Sequence, residues 1–166
     1  MVGYNLAGGT ISQSYATGNV TAGIEEAGGL VGVNMGSIQN SQASGIVGTA
    51  SAPLVWGVGG LAGVNGGSIS DSYSTRTGFG APRGAFLGVN LATGTLTDDY
   101  WDTTTSDLFT GVKLDESSTD QAANVLPLTT SQLQSALPAG FDPSIWGLNA
   151  SVNGGLPYLL SLGSSY

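Results

Sequence analysis

The chain has 166 residues, the size of one domain or of one domain with a terminal extension. Its charge is sparse and acidic, with 11 Asp and Glu against 3 Lys and Arg and a formal net charge of −8. Three scattered cations cannot build the basic face that neutralises phosphates, so we expect no nucleic-acid partner. Cysteine and histidine are absent, which excludes disulfides and Cys- or His-based catalysis and metal binding within this chain. No apolar run reaches the roughly 18 residues of a membrane-spanning helix, so we expect no transmembrane segment.

A repeated pattern dominates the first hundred residues. GGLVGVNMGSI occupies residues 28–38 and GGLAGVNGGSI occupies residues 59–69. The glycine of the pattern advances by 29, 31 and 25 residues, from position 3 to 32, 63 and 88. Each unit continues with a glycine, a hydroxyl residue and an aliphatic residue. Four anchors can be aligned in this way: Val2-Gly3-Tyr4-Asn5, Val31-Gly32-Val33-Asn34, Ala62-Gly63-Val64-Asn65 and Leu87-Gly88-Val89-Asn90.

Each unit reads as short strands separated by turns, because runs of Val, Ile, Thr and Tyr alternate with Gly and Asn. The many glycines disfavour a helical repeat. A unit of this length fits one coil of a parallel β-solenoid, in which each coil pairs with the next at a spacing of about 4.8 Å. We therefore predict an all-β parallel β-solenoid (β-helix) of about four coils. Two internal ladders are expected, one of Ile11, Ile38, Ile69 and Leu96, and one of Leu30 and Leu61 with Met1 and Phe86 in equivalent places.

The asparagine that ends each anchor is predicted to be structural. Asn tolerates the positive φ of a corner between strands, so we expect Asn5, Asn34, Asn65 and Asn90 to lie at corners. Stacked in register, their side-chain amides would hydrogen-bond along the solenoid axis. Ligand binding by these asparagines is the alternative.

The repeats resemble a known motif. Gly29-Leu30-Val31-Gly32 and Gly60-Leu61-Ala62-Gly63 are similar to the GLUG motif, and GTISQSYATGNV (residues 9–20) and GSISDSYSTRTG (residues 67–78) resemble the rest of that repeat. The resemblance covers residues 1–101. It implies a large bacterial surface exoprotein, such as a filamentous-haemagglutinin-like adhesin, in which the repeat forms a scaffold. The fourth unit departs from the motif with Ala85-Phe86-Leu87-Gly88, and the second has Gln42 where tyrosine is usual.

Residues 102–166 break the period and are predicted to form a C-terminal capping segment. LDESSTDQAANV (residues 114–125) reads as an exposed loop, and LTTSQLQSALP (residues 128–138) as a short helix with Thr130 or Ser131 at its N-cap. Leu133, Ala136 and Leu137 would share its buried face. We expect residues 128–160 to cover the open end of the last coil. The segment resembles the ends of repeat exoproteins that close with a tryptophan and a Gly-x-Pro-Tyr-Leu-like strand, which implies a closing strand at Gly155-Leu156-Pro157-Tyr158-Leu159.

Three candidate sites can be read from side-chain chemistry. The carboxylates Asp98, Asp99, Asp102 and Asp107 would suit a glycosidase or lyase, although cations for a polysaccharide substrate are nearly missing. Calcium could bind oxygen ligands, but the spacing of an EF-hand is absent, and we expect no resident cofactor. Its candidate ligands are Asp102, Asp107, Asp115, Glu116 and Asp120. The aromatics Tyr15, Tyr73, Tyr100 and Trp101 could form a surface stripe for a glycan or protein, or could stack within the sheet.

The composition and the repeat together predict a non-catalytic, adhesive or structural segment of a secreted or cell-surface bacterial protein. A carbohydrate-binding or polysaccharide-acting β-helix is the alternative. Met1 stands where the repeat has leucine, so we expect the chain to be the C-terminal piece of a longer exoprotein. No charged side chain or proline lies between Met1 and Ala22 to protect the first coil. The N-terminal edge is therefore predicted to self-associate, through head-to-head contacts or filaments.

Overall fold

A computed structural model describes residues 1–23, 26–49, 57–75 and 83–163. In these ranges the chain winds through four coils of short strands. The first coil contains β1 (Val2–Asn5), β2 (Thr10–Ser12), β3 (Tyr15–Ala16) and β4 (Val20–Ala22). The second contains β5 (Ala27–Gly28), β6 (Val31–Asn34), β7 (Ser37–Gln39), β8 (Gln42–Ala43) and β9 (Val47–Thr49). The third contains β10 (Val58–Gly59), β11 (Ala62–Asn65), β12 (Ser68–Ser70) and β13 (Tyr73–Ser74). The fourth contains β14 (Arg83–Gly84), β15 (Leu87–Asn90), β16 (Thr95–Thr97) and β17 (Asp99–Asp102).

The remaining elements follow the fourth coil. They are β18 (Val112–Asp115), a 3₁₀ turn (Gln121–Asn124), β19 (Val125–Leu128), the helix α1 (Thr130–Ser135), β20 (Trp146–Gly147), a 3₁₀ turn (Asn153–Gly155), β21 (Tyr158–Leu159) and a 3₁₀ turn (Leu160–Leu162). None of the helices in the described ranges is long and apolar enough to cross a membrane.

Equivalent strands of successive coils pair in parallel, which confirms the predicted all-β solenoid. Sheet 1 has the order β1-β6-β11-β15-β18, sheet 2 the order β2-β7-β12-β16, and sheet 3 the order β3-β8-β13-β17-β19. Two shorter sheets, β5-β10-β14 and β4-β9, complete the coils. Their pairings are parallel, whereas β20 pairs with β21 in antiparallel fashion.

The predicted aliphatic ladder lines the interior of the solenoid. Ile11, Ile38, Ile69 and Leu96 are register partners across sheet 2. The last three are about 1% exposed, and burying each such side chain contributes about 1.5–3 kcal/mol. In the second ladder Leu30, Leu61 and Phe86 are buried as expected. Met1 holds the equivalent place, because Val2 pairs with Val31 and Met1 precedes Val2 as Leu30 precedes Val31, but its side chain is 75% exposed.

Two sets of glycines are required by close backbone approach. A Cβ on Gly28, Gly59 or Gly84 would lie 2.0 Å from the carbonyl oxygen three residues later, where the chain turns into sheet 1. A Cβ on Gly63 would lie 2.6 Å from the carbonyl oxygen of Gly32 in the preceding coil, and the equivalent distance for Gly88 is 2.5 Å. The glycines of the repeat therefore let strands turn and stack without a clash.

The corners with positive φ lie elsewhere than predicted. Four of the non-glycine residues with positive φ recur once per coil, each directly after a strand of sheet 2: Gln13, Asn40, Asp71 and Asp98, with φ between 44° and 51°. The asparagines of the anchors do lie at strand ends, but they are not in the left-handed region. Their short polar side chains are needed for hydrogen bonding instead.

Pairing continues beyond the last residue of the predicted repeat. β18 adds to β15 in sheet 1, and β19 adds to β17 in sheet 3. The 3₁₀ turn at Gln121–Asn124 takes the place of a strand in sheet 2, where Gln121 Oε1 accepts from the Leu96 amide and Asn124 Nδ2 donates to the Leu96 carbonyl. The stretch 114–125, expected as an exposed loop, thus closes a partial fifth coil.

The C-terminal residues 129–163, here called the side segment, contain the predicted short helix. Its N-cap is Thr129, not Thr130 or Ser131, in a capping box with Gln132. Leu133 is buried as expected and Leu137 half-buried. Ala136 is exposed, contrary to expectation, because the helix ends at Ser135.

The side segment packs beside the coils, whereas the sequence predicted that it would lie over the end of the last one. Phe141, Trp146 and Leu159 form a hydrophobic cluster with Tyr73 and Tyr100 of sheet 3. Trp146 Nε1 donates to Asn40 Oδ1 of the second coil at 3.1 Å, and Asn153 Nδ2 donates to Gln42 Oε1 of that coil at 3.3 Å. The segment therefore covers sheet 3 from the fourth coil back to the second.

Candidate functional site

An asparagine ladder runs along the inside of sheet 1. Asn5, Asn34, Asn65 and Asn90 are register partners, and the side-chain Nδ2 of each donates to the Oδ1 of the next, at 2.8, 2.8 and 2.9 Å. The four residues are at most 6% exposed. The predicted amide hydrogen bonds along the axis are therefore confirmed. A buried amide that lost its partner would cost about 1–3 kcal/mol, so the ladder fixes the register of the coils.

The ladder ends on Asp115, which the sequence analysis had considered as a calcium ligand. Asp115 is the register partner of Asn90 and accepts from its Nδ2 at 3.0 Å. Burial would raise the pKa of Asp115, but hydrogen bonds from Asn90, from the Ala122 backbone and from Ser117 outweigh it, and the pKa lies below its ordinary value. The signal was present in the sequence: residues 90 and 115 are as far apart as residues 65 and 90, and Val112-Lys113-Leu114-Asp115 follows the anchor pattern.

A second ladder, which the sequence analysis did not identify, links serines at the corner before sheet 3. The backbone N–H of Ser14 donates to Ser41 Oγ at 3.2 Å, and that of Ser41 donates to Ser72 Oγ at 3.1 Å. Ser41 Oγ and Ser72 Oγ in turn donate to the carbonyl two residues earlier, at 2.9 and 2.7 Å. Each hydroxyl thus satisfies one donor and one acceptor of neighbouring backbone.

Asp99 takes the serine position in the fourth coil. Its Oδ1 accepts from the Ser72 N–H at 3.1 Å, but its Oδ2 is buried and has no partner among the described residues. Burial raises the pKa of Asp99 well above its ordinary value, and the nearby carboxylates Asp71 and Asp98 add to the shift. Asp98 lies at a left-handed corner and is exposed.

The acidic residues do not form a group with metal-ligand geometry in the described part of the chain. Groups of three or more Asp or Glu side chains that could hold a metal ion were not found there. Asp102 is buried and accepts from the Thr104 N–H at 2.8 Å and from Thr130 Oγ1 at 2.6 Å, which ties the side segment to the solenoid. Glu116 and Asp120 are exposed.

The aromatic residues that could have formed a surface stripe are mostly covered. Tyr73, Tyr100 and Trp101 are 0%, 3% and 4% exposed, and Tyr15 is half-buried. Tyr100 packs edge-on against Phe141 at 5.7 Å, and Phe141 stacks on Trp146 at 4.6 Å. Tyr73 donates to the Pro157 carbonyl at 2.6 Å and Tyr100 to the Ala139 carbonyl at 3.0 Å. Tyr73 and Tyr100 therefore hold the side segment, and the surface-stripe interpretation is wrong for these buried residues.

Trp101 points the other way, into the solenoid core, and its edge contributes to a groove at the end of the fourth coil. This Phe109 groove has a cavity volume of about 500 Å³. Phe109 is 98% exposed, whereas Ser106 is 7% exposed and its Oγ has no partner among the described residues. The groove is lined by Trp101, Thr103, Ser106, Asp107, Leu108, Phe109 and Pro127.

Comparison with known proteins gives one finding. The family model for the GLUG motif matches residues 55–77. The described part of that stretch contains β10 to β13, one coil from the turn before sheet 1 to sheet 3. Searches among curated proteins and among solved structures gave no match. The chain therefore carries a GLUG motif, and the motif corresponds to one coil of a β-solenoid.

Proposed function

We propose that the chain is a non-catalytic structural segment of a secreted or cell-surface bacterial exoprotein, in which the solenoid is a rigid scaffold for adhesion or self-association. The asparagine ladder is the observation that carries this proposal. It joins every coil to the next with a buried hydrogen bond of 2.8–3.0 Å, so the coils stack as one unit along the axis. The sparse charge and the absence of cysteine suit an extracellular location.

Display of the full chain on the surface of a non-adherent bacterium tests this role. We expect the cells to clump or to bind a host matrix, and we expect Asn65→Ala, which breaks the ladder and destabilises the solenoid, to weaken that property. The chain should release no reducing sugar from a panel of polysaccharides. Polysaccharide hydrolysis that co-purifies with the chain, or cells that neither clump nor bind, would overturn the proposal.

Carbohydrate binding at the Phe109 groove is a second candidate function. The exposed ring of Phe109 can stack on the apolar face of a pyranose, and the Asp107 carboxylate can accept hydrogen bonds from its hydroxyl groups. The observation that favours this reading is the Phe109 ring, which is 98% exposed beside the groove.

A glycan array with the soluble chain tests the groove. We expect binding that Phe109→Ala reduces at least tenfold, whereas Leu126→Ala, a matched change at an exposed apolar residue outside the groove, leaves it unchanged. Equal loss in both variants, or no bound glycan, would exclude this candidate.

A further inference from the structure

The corner before sheet 3 holds a hydroxyl group in three coils and a carboxyl group in the fourth. Ser14, Ser41 and Ser72 occupy this corner in the first three coils, and each hydroxyl donates to the carbonyl oxygen two residues earlier, at 2.9, 2.9 and 2.7 Å. Asp99 occupies it in the fourth coil, and its Oδ1 accepts from the Ser72 N–H at 3.1 Å. The carboxyl group therefore keeps the acceptor half of the serine's role, since Ser41 Oγ and Ser72 Oγ accept the equivalent N–H of the coil before.

A carboxylate cannot supply the donor half of this role. The carbonyl two residues before Asp99 is that of Thr97, which accepts from the Asp71 N–H at 3.1 Å. The equivalent carbonyls of Gln39 and Ser70 accept such an N–H and a serine hydroxyl as well. In the described part of the chain no side chain donates to the Thr97 carbonyl, whereas Asp99 is fully buried and its Oδ2 has no partner. A proton on the carboxyl group would supply the missing donor.

The groups around Asp99 also disfavour a negative charge there. The charged groups of the described chain that act on this carboxyl are Asp71, on the corner of the third coil, and Asp98, directly beside it. Both are carboxylates, so neither compensates an ionised Asp99. The register partner in the next coil is the apolar Val125. The side segment brings only Gly140 to this corner, where a Cβ would lie 2.6 Å from the Cβ of Asp98.

The pKa of Asp99 follows from these surroundings. Burial raises this pKa well above its ordinary value of 3.8. The backbone of Ser72 and of Thr97 lowers it by less than burial raises it, and the charges of Asp71 and Asp98 raise it further. The folded chain therefore holds a proton on Asp99 at pH values where the unfolded chain has lost it.

We propose that Asp99 is a neutral carboxylic acid in the folded chain at pH 7, that its O–H donates to the Thr97 carbonyl as the serine hydroxyls do in the other coils, and that this proton locks the side segment onto the fourth coil. Loss of the proton to solvent leaves a buried carboxylate facing a carbonyl oxygen, which loosens the start of β17. The residues on either side of Asp99 hold the side segment: Asp98 lies against Gly140, and Tyr100 donates to a side-segment carbonyl at 3.0 Å. Deprotonation should therefore release this segment first.

The carbon-13 chemical shift of Asp99 Cγ in the labelled full chain measures the proton directly. At pH 7 we expect it at the position of a protonated carboxyl group, moving to the carboxylate position only at higher pH. Asp142 supplies the carboxylate reference at pH 7, because the Ser144 N–H lowers its pKa and its side chain is exposed. A carboxylate shift for Asp99 at pH 7 would overturn the proposal, and this measurement needs no variant.

The variant Asp99→Asn tests the donor. Its amide keeps the shape of the acid and supplies an N–H to the Thr97 carbonyl at every pH. The parent loses stability as the pH rises from 3.8 through the folded pKa of Asp99, and the variant has no such proton to lose. We expect the two chains to melt within about 1 °C of each other at pH 4, and the variant to melt at least about 3 °C higher at pH 9. Asp98→Asn, the same change of charge at the exposed neighbour, is the control and should gain less than about 1 °C.

Hydrogen exchange tests the link to the side segment. The Phe141 and Trp146 amides donate within that segment at 3.2 and 2.8 Å. Above the midpoint of the Asp99 Cγ titration we expect them to exchange at least about tenfold faster in the parent than in Asp99→Asn, and below it at equal rates. Equal rates above the midpoint would show that the proton does not hold the segment. A variant that melts below the parent at pH 9 would show an ionised, paired Asp99, and an equal gain from Asp98→Asn would show general charge repulsion instead.

Discussion

Each end of the solenoid has a strand of sheet 1 in the same register, β1 at one end and β18 at the other, yet the two ends differ in chemistry. At the N-terminal end, β1 exposes Val2 and Tyr4 and has an asparagine at the ladder position. At the C-terminal end, β18 exposes Lys113 and Leu114 and has Asp115 at that position. A charged edge strand discourages further pairing, and an acceptor-only residue ends a chain of donors. The anchor of β18 thus differs from the other four at two positions, with Lys113 in place of glycine and Asp115 in place of asparagine.

The largest loss of stability is expected for a substitution in the middle of the asparagine ladder, because a central residue bonds to a neighbour on each side. Asn65→Ala removes the donor to Asn90 and the acceptor for Asn34, and leaves buried polar groups without partners. We expect the free energy of unfolding to fall by about 2–4 kcal/mol in urea titrations. Asn149→Ala, which removes an exposed turn contact to Ser151, is the control and should change it by less than about 0.5 kcal/mol. Similar losses in the two variants would show that the ladder carries no particular stability.

The C-terminal end should respond less, because Asp115 is only half-buried. Asp115→Ala deprives three donors of their acceptor and should cost about 1–3 kcal/mol at pH 7. The pKa of Asp115 is lowered on folding, so its contribution is present above the ordinary value of 3.8 and is lost as the pH falls through the folded pKa. The difference between parent and variant should therefore shrink in urea titrations below pH 3.8. A difference that is constant down to pH 2 would contradict an ionised Asp115 at the end of the ladder.

A substitution in the serine ladder is expected to raise the free energy of unfolding, in contrast to the substitutions in the asparagine ladder. Asp99→Ser restores the residue found at positions 14, 41 and 72, and its hydroxyl can donate to the carbonyl two residues earlier as theirs do. The pKa of Asp99 is raised on folding, so the parent chain loses stability as the pH rises from the ordinary value of 3.8 through the folded pKa. We expect the variant to be more stable by about 1–2 kcal/mol at pH 7 and to lose that advantage near pH 3.

Urea titrations of the parent chain and of Asp99→Ser at pH 7 and pH 3 test this prediction. Asp98→Ser, a change at the neighbouring exposed corner residue, is the control and should give little of this gain. A variant at position 99 that is less stable than the parent at pH 7 would show that the buried carboxylate has a partner outside the described residues.

The smallest effect is expected at the N-terminal end. Asn5→Ala removes the 2.8 Å hydrogen bond to Asn34 and two longer ones to the Gly9 and Ser37 carbonyls, beside exposed apolar residues where water can replace part of them. The free energy of unfolding should fall by about 0.5–1 kcal/mol, less than for either Asn65→Ala or Asp115→Ala. A loss as large as that of Asn65→Ala would mean that this end is as enclosed as the middle of the ladder.

The sequence predicted what repeats and missed what occurs once. The period alone located the aliphatic ladder of Ile38, Ile69 and Leu96 and the asparagine ladder, because every coil must satisfy the same contacts. The path of the side segment was not predictable in this way. Trp146 reaches Asn40 over 106 positions of sequence, and no local pattern encodes a contact of that kind.

In the candidate site, too, the repeated residues were predicted and the residues that occur once were missed. The asparagines were found from their spacing, whereas the fifth ladder position was missed because Asp115 looked like a surface or calcium-binding residue. The interpretation of Tyr73 and Tyr100 as a surface stripe failed for a related reason. Their recurrence at equivalent positions of sheet 3 was visible in the repeat. The aromatic residues that cover them, Phe141 and Trp146, lie outside the repeat.

Scalar couplings across hydrogen bonds, measured by NMR on the labelled full chain, test the directed ladder most directly. The ladder predicts a coupling from the side-chain Nδ2 of each asparagine to the Cγ of the next ladder residue, ending with Asn90 Nδ2 to Asp115 Cγ. Couplings from the later residue to the earlier one would show the opposite direction. Their complete absence, together with side-chain amides of Asn34, Asn65 and Asn90 that exchange as fast as that of the exposed Asn149, would contradict the ladder itself.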